Sequence, residues 1–199
     1  FRSLLIMIGL PEVSLITSWH PGTPQEKDSP LGLRKALEAG LSVFDLYFLN
    51  HSDLEWYRSQ TGRVEVASDK NNHENDCPLC FASALTPKEI ENIARALLKE
   101  LVSDDYAGRL IGPRPRFTAL ATYWPLINDD DEERRKQSVR AVQNSLLLAR
   151  HLGCRHVEIV GGAAFSENDG GDAQTPSERK AATEAARKHR HERLCESLR

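Results

Sequence analysis

The sequence predicts an α/β fold with a parallel sheet. Two observations carry that reading. Short β-branched and apolar runs alternate along the chain with longer segments whose apolar residues recur on one helical face. Every such segment is long enough to be a crossover, so successive strands can run in the same direction with right-handed connections.

The first strand is read at residues 13–19, Val13-Ser14-Leu15-Ile16-Thr17-Ser18-Trp19, stopped by Pro21-Gly22. A short amphipathic helix follows over residues 32–40, with Leu33, Ala36 and Leu37 on one face and Gly40 at its end. The run Ser42 to Leu49 is mostly apolar and reads as a strand buried on both faces, bounded by Asn50 and His51. Residues 51–85 are polar and rich in Asn and Asp, and read as an irregular insertion. Thr86-Pro87-Lys88-Glu89 then makes a capping box with proline at the first helical position. Ile90, Ile93, Ala94, Leu97, Leu98 and Leu101 give the helix that follows its apolar face.

After the break at Gly112-Pro113-Arg114-Pro115, residues 117–124 read as the third strand. A helix over residues 130–152 has acids in its first turn, Arg150 and His151 in its last, and Gly153 as its cap. Val139, Val142, Leu146, Ala149 and Leu152 are expected to line its buried face. Asp129 to Glu133 followed by Arg134, Arg135 and Lys136 reads as a solvated first turn with i,i+3 and i,i+4 ion pairs. The fourth strand is His156-Val157-Glu158-Ile159-Val160, with Glu158 on the face opposite Val157 and Ile159. A last, polar helix is expected from Ser177 to the end of the chain. Alternating strands and helices admit two closures, a barrel and an open doubly wound sheet, and periodicity does not choose between them.

The stretch Gln137-Ser138-Val139-Arg140 through Leu147-Leu148-Ala149-Arg150-His151-Leu152-Gly153-Cys154-Arg155-His156-Val157-Glu158-Ile159-Val160-Gly161-Gly162 resembles the third helix and fourth strand of the xylose-isomerase-like barrels. The first unit is similar too: an apolar strand, a helix ending in Ala39-Gly40, and a strand carrying Asp45 where that family often places an acid. In architecture the resemblance covers about residues 13–165. It implies a partial (β/α)₈ TIM barrel, strands one to four with helices one to four, as one domain over residues 1–199. The 199 residues are short of the roughly 250 of a complete barrel. Phe1 and Arg199 read as cuts in a longer chain.

The resemblance also implies a function: isomerisation or epimerisation of a sugar or sugar phosphate. A divalent metal cation polarises the substrate's oxygens, and a carboxylate moves a proton next to the carbonyl. The family's metal ligands sit mainly on later strands, so neither catalytic nor metal residues are carried over, and these residues alone are expected to be inactive. Metal-dependent endonucleases of the same barrel place His at the ends of strands three and four, where this chain has Thr122-Tyr123-Trp124 and Val160-Gly161-Gly162.

In a barrel the strands' C-terminal ends form the site. Those ends carry Trp19, His20, His51, Tyr123, Trp124, Gly161 and Gly162, a set suited to a small polyol. The glycine pair would let backbone approach a ligand closely. The competing expectation is that the two tryptophans plug the barrel mouth, and that the domain is a non-catalytic α/β binding module. The phosphate-cradling G-x-G-x-x-G is absent, since Gly161-Gly162 is followed by Ala163-Ala164-Phe165.

A formal charge of −3 and interleaved Lys/Arg and Asp/Glu give no basic stripe, so no nucleic-acid partner is expected. Leu4 to Leu10 is apolar but far shorter than the roughly 20 residues of a membrane span, so no membrane partner is expected either. The expected partner is a small carbohydrate, with homo-oligomers formed through the exposed edges of a half barrel. Four cysteines, Cys77, Cys80, Cys154 and Cys195, do not make a disulfide scaffold, and the expected compartment is cytoplasmic. His73, Cys77 and Cys80 have three-ligand zinc spacing without a fourth, and Cys77-Pro78-Leu79-Cys80 also has the spacing of a redox pair.

Overall fold

The computed structural model describes residues 15–17, 33, 37, 41–49, 53–62, 77–102, 114–124, 126–160 and 175–197. Among the described residues four strands form one sheet: β1 (Leu15–Thr17), β2 (Val43–Tyr47), β3 (Arg116–Tyr123) and β4 (His156–Val160). They lie side by side in the order β1-β2-β3-β4, and every neighbouring pair is parallel. Their common direction is the one the alternation predicted.

The described residues include five helices: α1 (Leu54–Thr61), α2 (Pro78–Ser83), α3 (Pro87–Leu101), α4 (Glu132–Leu152) and α5 (Pro176–Ser197). Leu33 and Leu37, both helical, are fully buried in the same core. α3 begins as its sequence dictates. The Thr86 backbone N–H donates to Glu89 Oε2 at 2.7 Å, and the Glu89 N–H donates back to Thr86 Oγ1 at 3.3 Å. Its buried face is Ile90, Ile93, Ala94, Leu97 and Leu101. Leu98, expected on that face, is 37% exposed because it stands at the edge of the stripe.

Two expectations are corrected here. Residues 51–85 are not wholly irregular, since α1 and α2 form within them. Leu54, Tyr57, Leu79, Phe81 and Ala82 from these helices are core residues. Asn144 on α4 fastens α2 in place, its Nδ2 donating to the carbonyls of Ala82 at 2.8 Å and Leu85 at 3.2 Å.

The buried face of α4 is also rotated from the expected one. It runs through Ser138, Ala141, Val142, Ser145, Leu148, Ala149 and Leu152, while Leu146 is 46% exposed. Serine and alanine on this face let the helix approach its neighbours closely. Ser145 Oγ bonds back to the Ala141 carbonyl at 2.7 Å, which satisfies it without solvent. The ends of α4 behave as read. Asp131 Oδ1 accepts from the N–H groups of Glu133 and Arg134, and Gly153 closes the helix at φ 73°, a left-handed conformation that glycine adopts without strain. The first-turn ion pairs Glu132–Lys136 and Glu133–Lys136 form as expected, at 3.0 and 3.1 Å.

α5 has no buried residue. Half-buried Leu194 packs against the core, Ser197 Oγ donates to the Ile127 carbonyl at 2.9 Å, and His189 Nε2 meets Asp130 Oδ1 at 2.7 Å. No described helix is long and apolar enough to cross a membrane.

Candidate functional site

The two faces of the sheet differ in composition, and the difference defines the site. On one face Phe44, Leu46 and Phe48 of β2 and its extension join Phe117, Leu120 and Trp124, in one core with the helices. The opposite face carries Asp45 and Tyr47 from β2, Ala119, Ala121 and Tyr123 from β3, and His156, Glu158 and Val160 from β4. The pairing register sets these residues in rungs: Asp45–Ala119–His156, then Tyr47–Ala121–Glu158, then Tyr123–Val160.

A local irregularity makes this sorting possible. Phe44 pairs with Phe117, but the next residue, Asp45, pairs with Ala119, so Thr118 is extra in β3. Strict alternation would put Phe117 and Leu120 on opposite faces, yet both are buried in the core. The extra residue also has a polar task. Thr118 Oγ1 lies 2.6 Å from Asp45 Oδ1 and donates to it.

The open face is a trough with an alanine floor. Ala119 and Ala121 lie between side chains on β2 and β4 that start about 9.5 Å apart, two strand spacings. Towards the C-terminal ends of the strands stand Tyr47, Tyr123 and Glu158. Burial raises the Tyr47 hydroxyl's pKa, and Tyr123 adds to the effect. Tyr123 is 47% exposed. Glu158 is exposed and makes no ion pair with another described residue. At the other end of the trough, burial and then the Asp45 carboxylate push the Cys154 thiol up to about 11, so it stays protonated at neutral pH.

The expected site residues fare unevenly. Trp19, His20, His51, Gly161 and Gly162 lie outside the described residues. Tyr123 and Trp124 were expected together in one strand-end site, and they lie on opposite faces of the sheet. Adjacent residues at a strand end point to opposite faces. Trp124 is only 2% exposed, its ring 6.3 Å from Phe48 and its Nε1 donating to Ser145 Oγ at 3.4 Å. It is a core residue. Tyr47 and Ala121 were not singled out from sequence. The signal was the alternation Phe44-Asp45-Leu46-Tyr47-Phe48, which marks a strand with one polar face. The expectation of burial on both faces is corrected accordingly, since Asp45 and Tyr47 are only half-buried.

Carboxylates that accept hydrogen bonds, phenols that both donate and stack, and a small-residue floor together suit a ligand with many hydroxyls on a C–H framework. Among the described residues, no three His, Cys, Asp or Glu side chains gather closely enough to hold a metal ion. Comparison with known proteins found no family model, no curated protein and no solved structure that matches the chain.

Proposed function

We propose that the sheet is the first half of a xylose-isomerase-like (β/α)₈ barrel, and that the protein takes a sugar or sugar phosphate for isomerisation or epimerisation. One observation carries the reading. Strands in the order 1-2-3-4 have their described connections in a single core on one face, with polar residues and alanines on the other. A doubly wound sheet reverses strand order at a switch point and places helices on both faces. A barrel winds one way, with all its helices outside. In this reading the open face is a segment of the lumen, and Tyr47, Tyr123 and Glu158 are its residues nearest the reacting end.

Glu158 then accepts hydrogen bonds from substrate hydroxyls and is placed to hold a proton beside them. Tyr123 offers a ring face to the sugar's C–H surface. The divalent cation belongs to the proposal as the group that would polarise the substrate's carbonyl. The described residues do not form its site, and proton transfer at carbon is assigned to groups on later strands.

The test is titration of the 1–199 chain with xylose, fructose and fructose 6-phosphate, followed by backbone amide NMR. The expected result is saturable shifts at Tyr47, Ala121, Tyr123 and Glu158. Glu158→Gln and Tyr123→Ala should each weaken binding at least about tenfold, the equivalent of about 1.4 kcal/mol. The same chain should interconvert none of these sugars, with or without added Mg²⁺ or Mn²⁺. Absence of shifts on this face would overturn the site. Metal-dependent turnover by 1–199 would overturn the assignment of the chemistry to later strands.

A further inference from the structure

The pair Cys77 and Cys80 takes no part in the trough, and its local geometry has a chemistry of its own. Cys77 is the N-cap of α2, with extended backbone at φ −91° and ψ 114°. Its Sγ accepts the backbone N–H of Cys80 at 3.3 Å, so its side chain is turned over the first turn of the helix. Cys80 occupies the third helical position. One helical turn places Cα atoms three residues apart about 5 Å from each other, inside the roughly 4.4–6.8 Å range that a disulfide spans. Side chains on a helix lean toward its N-terminus, which tilts the Cys80 sulfur back toward Cys77. Both residues are thiols and both are partly exposed. The turn is also held firmly from outside: Pro78 fixes its first position, while Leu79 and Phe81 are buried in the core on either side of Cys80.

We propose that Cys77 and Cys80 form a redox-active dithiol that closes reversibly to a disulfide by exchange with a low-molecular-weight disulfide such as oxidised glutathione. One cysteine thiolate attacks a glutathione sulfur. The glutathione S–S bond breaks, a mixed disulfide forms on the protein, and one glutathione thiolate leaves. The second cysteine thiolate then attacks the protein sulfur of the mixed disulfide and expels the second glutathione. The protein loses two electrons and two protons, and one glutathione disulfide becomes two glutathione thiols. The exchange needs no movement of α2 as a whole, because the partners already share one turn. The other two cysteines are differently placed. Cys154 remains protonated well above neutral pH and is a poor nucleophile, and Cys195 lies on α5 next to His191, not to a second thiol.

The experiment treats the whole 1–199 chain with oxidised glutathione, quenches with acid, and reads intact mass and the peptide that spans residues 77–80. The parent chain should lose two hydrogens at that peptide and retain no glutathione there. Cys77→Ser and Cys80→Ser should each gain one glutathione at the remaining cysteine, because the resolving thiol is gone. Cys77→Ser keeps an oxygen acceptor for the Cys80 N–H, so α2 retains its cap, and circular dichroism of the variants checks the fold. Dithiothreitol should restore the parent mass. A parent chain carrying stable glutathione on Cys77 or Cys80, or a disulfide joining either of them to Cys154 or Cys195, would overturn the proposal, as would complete resistance of the 77–80 peptide.

Discussion

The two faces of the sheet are built from the same strands, yet they are held to different rules. On the covered face every side chain is large or capped: Phe44, Leu46, Phe48, Leu120 and Trp124 interlock with α1 to α4, and the one buried hydroxyl of β3, on Thr122, donates across to the Glu158 carbonyl at 3.3 Å. On the open face the middle strand is stripped down to alanine, while ionisable groups stand on both sides. Volume on the first face stabilises the fold. Shape and charge on the second do little for stability, which frees them for a ligand. The comparison shows why strand-end position alone misassigned Trp124. Two neighbours in sequence, Tyr123 and Trp124, belong to different faces and so to different tasks.

The largest expected effect tests the covered face. Trp124→Ala removes the ring between Phe48 and Ser145 and should cost about 3–5 kcal/mol in urea unfolding. A loss below about 1 kcal/mol would place the ring outside the core and reopen its candidacy as a ligand contact. Next comes the clamp behind that core. Asn144→Ala strands the Ala82 and Leu85 carbonyls and should cost about 1–3 kcal/mol. The fastening of α2 by this side chain would be disproved by an unchanged midpoint. Asp131→Ala, which removes the acceptor at the start of α4, should cost about 1 kcal/mol. A proton-linked effect follows from Cys154. Its thiol ionises near 9 when unfolded and near 11 when folded, so the native state holds the proton longer. That contribution to stability is complete below pH 9 and declines as pH rises from 9 toward 11. Cys154→Ala should therefore flatten the alkaline fall of the unfolding free energy, whereas an identical slope in both chains would sink the assignment. The smallest effect belongs to the open face. Glu158→Gln should move stability by less than about 0.5 kcal/mol while changing sugar binding, and a larger destabilisation would mean that Glu158 supports the fold.

The sequence revealed the parts of the molecule whose local signals agree with their tertiary role. Thr86 to Glu89 carry a complete helix-start signal in four consecutive residues, and the alternation in His156 to Val160 assigned Glu158 to its face correctly. Three things were hidden. α1 and α2 have eight and six residues, too few turns for a periodic stripe to stand out beside so many Asn and Asp. Ser138 and Ser145 count as polar in any pattern, so the buried face of α4 was sought through Val139 and Leu146. In β2 the apolar neighbours Val43, Phe44 and Leu46 masked the polar pair Asp45 and Tyr47. In each case the deciding information is which neighbour a residue meets, and a neighbour 60 or 70 positions away leaves no mark on a local window. The hydrogen bonds from Asn144 to Ala82 and from Thr118 to Asp45 are of that kind.

Thr118 has a consequence that reaches further than its hydrogen bond. A strand behaves like text read two letters at a time, and one inserted letter changes the parity of everything downstream. Remove Thr118 while Phe117 stays opposite Phe44, and Ala119 simply becomes the next residue, so Leu120, Thr122 and Trp124 keep the covered face and Ala119, Ala121 and Tyr123 the open one. Most single deletions at a strand end shorten an element. This one would leave β3 in plain alternation with its faces unchanged and remove the bond to Asp45, whereas one residue added beside Thr118 would exchange the inside of the strand for its outside.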